Sequence, residues 1–136
     1  MIEKNQMDSL LKEAENAAKK AYAPYSKFRV GAAVLCEDGT AVTGVNVENR
    51  SYGLTICAER NAVFAAVAKG YQRFSALALC TPDSAEPVGP CGACRQVMSE
   101  FMPPDTPVSF SGSGSSRVDT TMGELYPFDS LHDLKK

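Results

Sequence analysis

Only one histidine occurs in the 136 residues, His132, close to the C-terminus. A scheme built on paired histidines or on a Cys–His couple therefore has little to draw on, and His132 reads as an exposed tail residue. Excess positive charge is missing as well: 14 Lys+Arg against 16 Asp+Glu leave a net charge of −2. Proteins that grip nucleic acid through its phosphates concentrate Lys and Arg, so this balance argues against that class. No apolar run approaches the roughly 20 residues that span a bilayer, which argues against a membrane partner. The opening Met1-Ile2-Glu3-Lys4-Asn5-Gln6 lacks the basic start and apolar stretch of a signal peptide, which predicts a cytoplasmic location.

What is present is globular material, 44% hydrophobic and 22% charged. Its length predicts a single domain over residues 1–136, burying about two thirds of the surface its unfolded chain exposes. Five cysteines stand at 36, 57, 80, 91 and 94. An odd number without an export signal argues for reduced thiols, available as ligands or nucleophiles, over a disulfide framework.

Periodicity predicts a helix from a cap at Asp8 to about Tyr22, stopped by Pro24. A strand over 28–35, a turn at Glu37-Asp38-Gly39-Thr40 and a returning strand over 41–46 form a hairpin with the Asp-Gly signal. A polar loop over 47–53 leads to a helix over 56–69, capped by Thr55 and closed by Gly70. Residues 62–68 of that helix are apolar on every side and must be covered on every side. A buried strand over 74–80 precedes a turn-rich loop. Pro90 opens a third helix that reaches about Met102 and stops at Pro103-Pro104. Strands over 107–111 and 117–121 flank Gly112-Ser113-Gly114-Ser115-Ser116. That glycine–serine stretch lacks the Gly-Lys-Ser/Thr ending of a phosphate loop and reads as a plain loop. The pattern is α/β: a mixed five-stranded sheet with an initial antiparallel hairpin, sandwiched between helices.

Cys91-Gly92-Ala93-Cys94 is a C-x-x-C motif with four possible meanings: a redox pair, part of a closed structural zinc site, core cysteines, or part of a catalytic zinc site with three protein ligands. By itself it does not decide among them. Its context does more. Cys57 and Cys91 each stand at a predicted helix start, where N–H groups and the helix dipole favour a thiolate. Cys94 follows Cys91 by one turn on nearly the same face. Cys36 and Cys80 lie inside strand-like runs and read as core, and His132 is remote. Three thiolates with no fourth ligand leave an open position, the arrangement of a zinc site for chemistry. Glu59, two residues past Cys57, can stand beside the metal without binding it.

Cys57-Ala58-Glu59 followed by Pro90-Cys91-Gly92-Ala93-Cys94 matches the zinc deaminase signature in a three-cysteine form. More narrowly, the chain resembles the small homotetrameric cytidine deaminases of free nucleosides. The likeness runs nearly end to end, through Tyr22-Ala23-Pro24-Tyr25-Ser26, Phe28-Arg29-Val30-Gly31-Ala32-Ala33, Gly44-Val45-Asn46-Val47-Glu48-Asn49 and Cys91-Gly92-Ala93-Cys94-Arg95-Gln96.

The resemblance implies one zinc ion held by Cys57, Cys91 and Cys94, and Glu59 as the proton carrier for water attack on C4 of cytosine. It implies ribose contacts from Asn46 and Glu48, a ring contact from Phe28, base-edge contacts from the main chain at Ala58, and Val47 as part of the substrate site. Tyr52 and Phe128 resemble aromatics that reach a neighbouring subunit's pocket in a homotetramer. Three thiolates outweigh the charge of zinc by one unit, which makes the metal a poorer Lewis acid. Arg60, beside Glu59, is the expected compensating charge. The competing readings are an aminohydrolase for another cytosine nucleoside, a structural zinc module, and a nucleic-acid editor. The charge balance and the absence of basic–aromatic clusters speak against the last.

Overall fold

The computed structural model describes residues 2–135. Nine helices and strands position the site: α1 (Lys4–Ala18), β1 (Gly31–Cys36), β2 (Ala41–Val45), α2 (Ala58–Ala68), β3 (Phe74–Thr81), α3 (Gly92–Phe101), β4 (Pro107–Gly112), β5 (Arg117–Thr121) and α4 (Met122–Leu125). The strands form one sheet in the order β2-β1-β3-β4-β5. Only β3 and β4 run parallel; the other neighbours are antiparallel. The mixed five-stranded α/β sheet with an opening hairpin is therefore as the sequence predicts.

Alternation along the strands builds the two layers. Ala33, Ala76, Ala78 and Cys80 point to one face, where Met7, Leu10, Leu11 and Ala14 of α1 cover them. Ala32, Val34, Leu77, Leu79 and Val108 point to the other, beneath Ala62, Val63 and Ala66 of α2 and Met98 of α3. Cys36 and Cys80 are buried in this core, as expected of strand-interior cysteines. Gly44 is required by close approach: a Cβ there would collide with the backbone of Ala58 and Ala62. The missing side chain lets α2, whose first turn carries Glu59, settle directly on β2.

Local signals misplace several boundaries, each for a physical reason. α1 starts five residues earlier than the cap at Asp8 predicts, because Gln6 Oε1 accepts the Glu3 N–H at 2.8 Å and closes the first turn there. Asp8 instead accepts from Arg117 of β5 at 2.6 Å. β1 begins at Gly31, not at 28, because the side chain of Asn46 takes the backbone of Phe28 and Val30. Thr55 does not cap α2; its hydroxyl accepts the Asn49 N–H at 3.1 Å, and Cys57 is the N-cap. Pro90 lies two residues before α3, whose N-cap is Cys91. Gly70 does close α2 with φ +101°, a conformation glycine adopts without strain.

Candidate active site

Both helix starts that meet at the site are capped by cysteine. Cys57 and Cys91 are extended at the N-caps of α2 and α3, with ψ of 156° and 169°, so each side chain turns across its helix end. Cys94 follows in the first turn of α3, and its N–H points at Cys91 Sγ from 3.5 Å. All three sulfurs lie within 4.8 Å of one another. Cys57 and Cys91 Sγ are 4.0 Å apart, and Cys91 and Cys94 Sγ 3.5 Å. Sulfurs at about 2.3 Å from a tetrahedral zinc are separated by roughly 3.8 Å, so this donor set fits the ion without rearrangement. Three soft donors, none in a disulfide, are the chemistry zinc selects. The cofactor these donors fit is zinc.

Hydrogen bonding, burial and Arg60 act on these sulfurs unequally. The hydrogen bond from the Cys94 thiol draws the Cys57 thiol down to about 5, burial opposes this, and Arg60 reinforces it. Cys94 is pushed the other way by the same hydrogen bond and by burial. Arg60 Nη2 donates to Cys57 Sγ at 3.4 Å, and its Nε is a buried donor with no protein acceptor. The arginine is partly buried against the sulfurs, not an exposed helix residue. Its guanidinium is held even more firmly charged by the Cys57 hydrogen bond.

Glu59 sits in the first turn of α2 with 4% of its surface exposed. Burial raises its carboxyl to about 7; its own N–H stabilises the charge, and the Cys57 thiolate disfavours it. A carboxyl poised near neutrality can both accept and return a proton. Ala58, fully buried between Cys57 and Glu59, is the first residue of α2. Its N–H is among those that no helical carbonyl accepts.

The segment 46–48 is bound to this centre through the backbone. Val47 exchanges two hydrogen bonds with Ile56, the residue before Cys57, at 3.0 and 3.1 Å. On its other side Tyr22 donates to Asn46 O at 3.0 Å and accepts from the Glu48 N–H at 2.9 Å. Asn46 is buried and its amide is partly committed: Oδ1 accepts from the Val30 N–H at 2.9 Å and Nδ2 donates to Phe28 O at 2.8 Å. Phe28 is therefore tied to Asn46 and is only partly buried. Glu48 is also buried, and its carboxyl is held low chiefly by the Ser26 hydroxyl.

Tyr52 and Phe128 stand apart from these residues. Tyr52 opens a 3₁₀ turn, Tyr52–Leu54, is 62% exposed, and meets Tyr25 edge-on at 6.0 Å between ring centroids. Phe128 lies past α4 and is 92% exposed. Two further residues are drawn in without having been assigned a role from the sequence. Ser26 binds Glu48, and the signal is a short hydroxyl residue two before the Phe28 N–H that it accepts. Arg95 donates to Pro90 O and Leu125 O, both at 2.8 Å, joining the Cys91 turn to the C-terminal segment. Nothing local in the sequence indicates that long-range clasp.

Comparison with known proteins gives a consistent result. The pattern of the cytidine and deoxycytidylate deaminase zinc-binding region matches residues 4–109. A cytidine deaminase of Halalkalibacterium halodurans is 49% identical over 118 residues, covering 87% of this chain and 89% of its own length. One from Sporosarcina psychrophila is 47% identical over 121 residues, covering 89% and 88%. The crystal structure of cytidine deaminase from Burkholderia pseudomallei superposes with a TM-score of 0.84 at 46% identity, covering 88% of this chain and 95% of that one.

Proposed function

The chain belongs to the cytidine and deoxycytidylate deaminase family of zinc-dependent hydrolases, and from that premise we propose that it converts free cytidine and deoxycytidine to uridine and deoxyuridine, with release of ammonia, in pyrimidine salvage. The observation that carries this reading is the buried Glu59 two residues from Cys57, beside three sulfurs within 4.8 Å of one another. Cys57, Cys91 and Cys94 hold the zinc. When bound, zinc acidifies a water so that a nucleophile is available near pH 7.

Glu59 takes one proton from the water that attacks C4 and delivers it to ring N3. It then takes the remaining proton of the new C4 hydroxyl and passes it to the departing amine, so that one water is consumed, C4 becomes a carbonyl and one ammonia leaves. Burial of Glu59 keeps bulk water from this proton traffic. The free N–H at Ala58 faces the base edge, Phe28 packs on the pyrimidine, and Asn46 and Glu48 take the sugar hydroxyls, with Val47 holding their segment against Ile56. Arg60 offsets the excess negative charge of three thiolates.

The catalytic unit is one domain over residues 1–136, working in the cytoplasm as a homotetramer. Phe64 and Val67 leave the outer face of α2 apolar, 48% and 38% exposed in one chain, and a second subunit covers it. Tyr52 and Phe128 complete a neighbour's pocket. The test is ultraviolet absorbance of purified protein with cytidine, deoxycytidine, cytosine and a cytosine nucleotide. Loss of the cytosine chromophore with both nucleosides, and not with the free base or the nucleotide, is expected. No ammonia release with any of the four would return the site to a structural zinc module.

A further inference from the structure

Glu48 is a buried carboxylate, and among the described residues no cation is bonded to it. Its oxygens are occupied by a loop instead. Oε1 accepts two N–H groups, from Tyr25 at 3.0 Å and Ser26 at 3.1 Å. Oε2 accepts the Ser26 hydroxyl. An ionised carboxylate offers about four acceptor positions, so three are filled and one, on Oε2, is left. The same Ser26 oxygen accepts the Phe28 N–H at 3.0 Å. Between them, Lys27 is held at φ +62°, the only non-glycine residue with positive φ among those described. A lysine in this region is strained and persists only where its surroundings impose it. Here the Lys27 N–H is tied to Ala23 O at 3.0 Å, and the neighbours on both sides are tied through Ser26.

We infer that Ser26 is a positioning residue for sugar recognition: its hydroxyl fixes Glu48 and the Phe28 backbone together and leaves the carboxylate a single acceptor position for one nucleoside hydroxyl. The inference rests on the nucleoside reading above. Ser26 touches no reacting atom and acts through Glu48 and Phe28. It is itself exposed and contributes nothing to the core, so removing its hydroxyl alters the aim of Glu48 and not the fold. Without that hydroxyl, Oε2 gains a second free position and the carboxylate can rotate away from the sugar.

The test is steady-state kinetics with cytidine on Ser26→Ala, Ser26→Thr, Glu48→Gln and the double variant Ser26→Ala/Glu48→Gln, with zinc content and melting midpoint measured on each. Ser26→Ala is expected to raise KM about tenfold, the effect of losing one charge-assisted hydrogen bond, with kcat changed less than about threefold and full zinc. Ser26→Thr, which keeps the hydroxyl, restores KM. The double variant is no worse than Glu48→Gln, because a residue acting through another adds nothing once that one is gone. If Ser26→Ala is insoluble, Ser26→Cys, a weaker donor, carries the same comparison. Unchanged KM in Ser26→Ala together with raised KM in Glu48→Gln overturns the positioning role and leaves the sugar reading standing. Unchanged KM in Glu48→Gln overturns both. Multiplicative effects in the double variant, or a Ser26→Thr as impaired as Ser26→Ala, overturn the route through Glu48.

Discussion

The cysteine centre and the aromatic rim differ in how much of their geometry one chain supplies. Cys57, Cys91 and Cys94 are set by two helix N-caps, and Glu59 and Arg60 follow in the same turn of α2. Their spacing matches zinc. Tyr52 and Phe128, by contrast, are 62% and 92% exposed. Tyr52 meets Tyr25 edge-on, yet most of its ring stays open. The difference teaches that the sulfur cluster and the carboxyl beside it are organised within one chain, whereas the rings of Tyr52 and Phe128 are left open to solvent.

The comparison breaks most sharply at the metal. Cys57→Ala, Cys91→Ala and Cys94→Ala are each expected to abolish zinc binding and turnover, while Cys36→Ala keeps both and loses only packing. Metal analysis of the purified variants checks this, and full occupancy in Cys57→Ala would remove that residue from the ligand set. Next in size is Glu59→Gln, which should retain zinc and lose about 10²–10⁴-fold in kcat. Stopped-flow or steady-state turnover measured beside zinc content separates the two roles.

On the assembly side, Phe64→Glu places a carboxylate on the outer face of α2, where burial against a second subunit costs on the order of several kcal/mol. Sedimentation should show dissociation with zinc still stoichiometric. A tetramer of wild-type affinity would move the interface off this face. Arg60→Gln should have a smaller effect, a loss of about 10–100-fold in metal affinity or activity. Competition with a chelator measures it, and unchanged zinc retention and turnover would end the charge-compensation account.

The smallest effect concerns the ion pair that joins the segment before β1 to the turn after β3. Arg29 donates to both oxygens of Asp83, at 3.0 and 2.7 Å, and holds that carboxyl down at about 2. Because the folded value lies below the ordinary aspartate value of about 4, the stabilisation is fully present above pH 4. It is lost as pH falls through about 2. In Asp83→Asn the melting midpoint should fall less steeply between those limits, by no more than a few degrees. The zinc centre should be untouched at neutral pH.

Residue identities and their chain order determined much of this molecule. The nearly unbroken apolar run over 74–80 marks a buried strand, Asp38-Gly39 marks the hairpin, and Cys57-Ala58-Glu59 with Pro90-Cys91-Gly92-Ala93-Cys94 marks the metal-binding sulfurs and the carboxyl beside them, because a cysteine at a helix start is a local arrangement legible within four residues. Helix starts were less legible. Asp8 and Thr55 have the chemistry of caps, but Arg117 and Asn49, distant in sequence or across a loop, claimed their oxygens first. The commitment of Asn46 to Phe28 and Val30 was likewise invisible, since it joins residues 16 to 18 apart by side chain to backbone. Only the tertiary structure decided that Glu48 has one acceptor position left and that Arg60 turns inward to the sulfurs. A free lone pair or a rotamer depends on which groups arrive nearby when the sheet closes, and spacing along the chain carries no record of that.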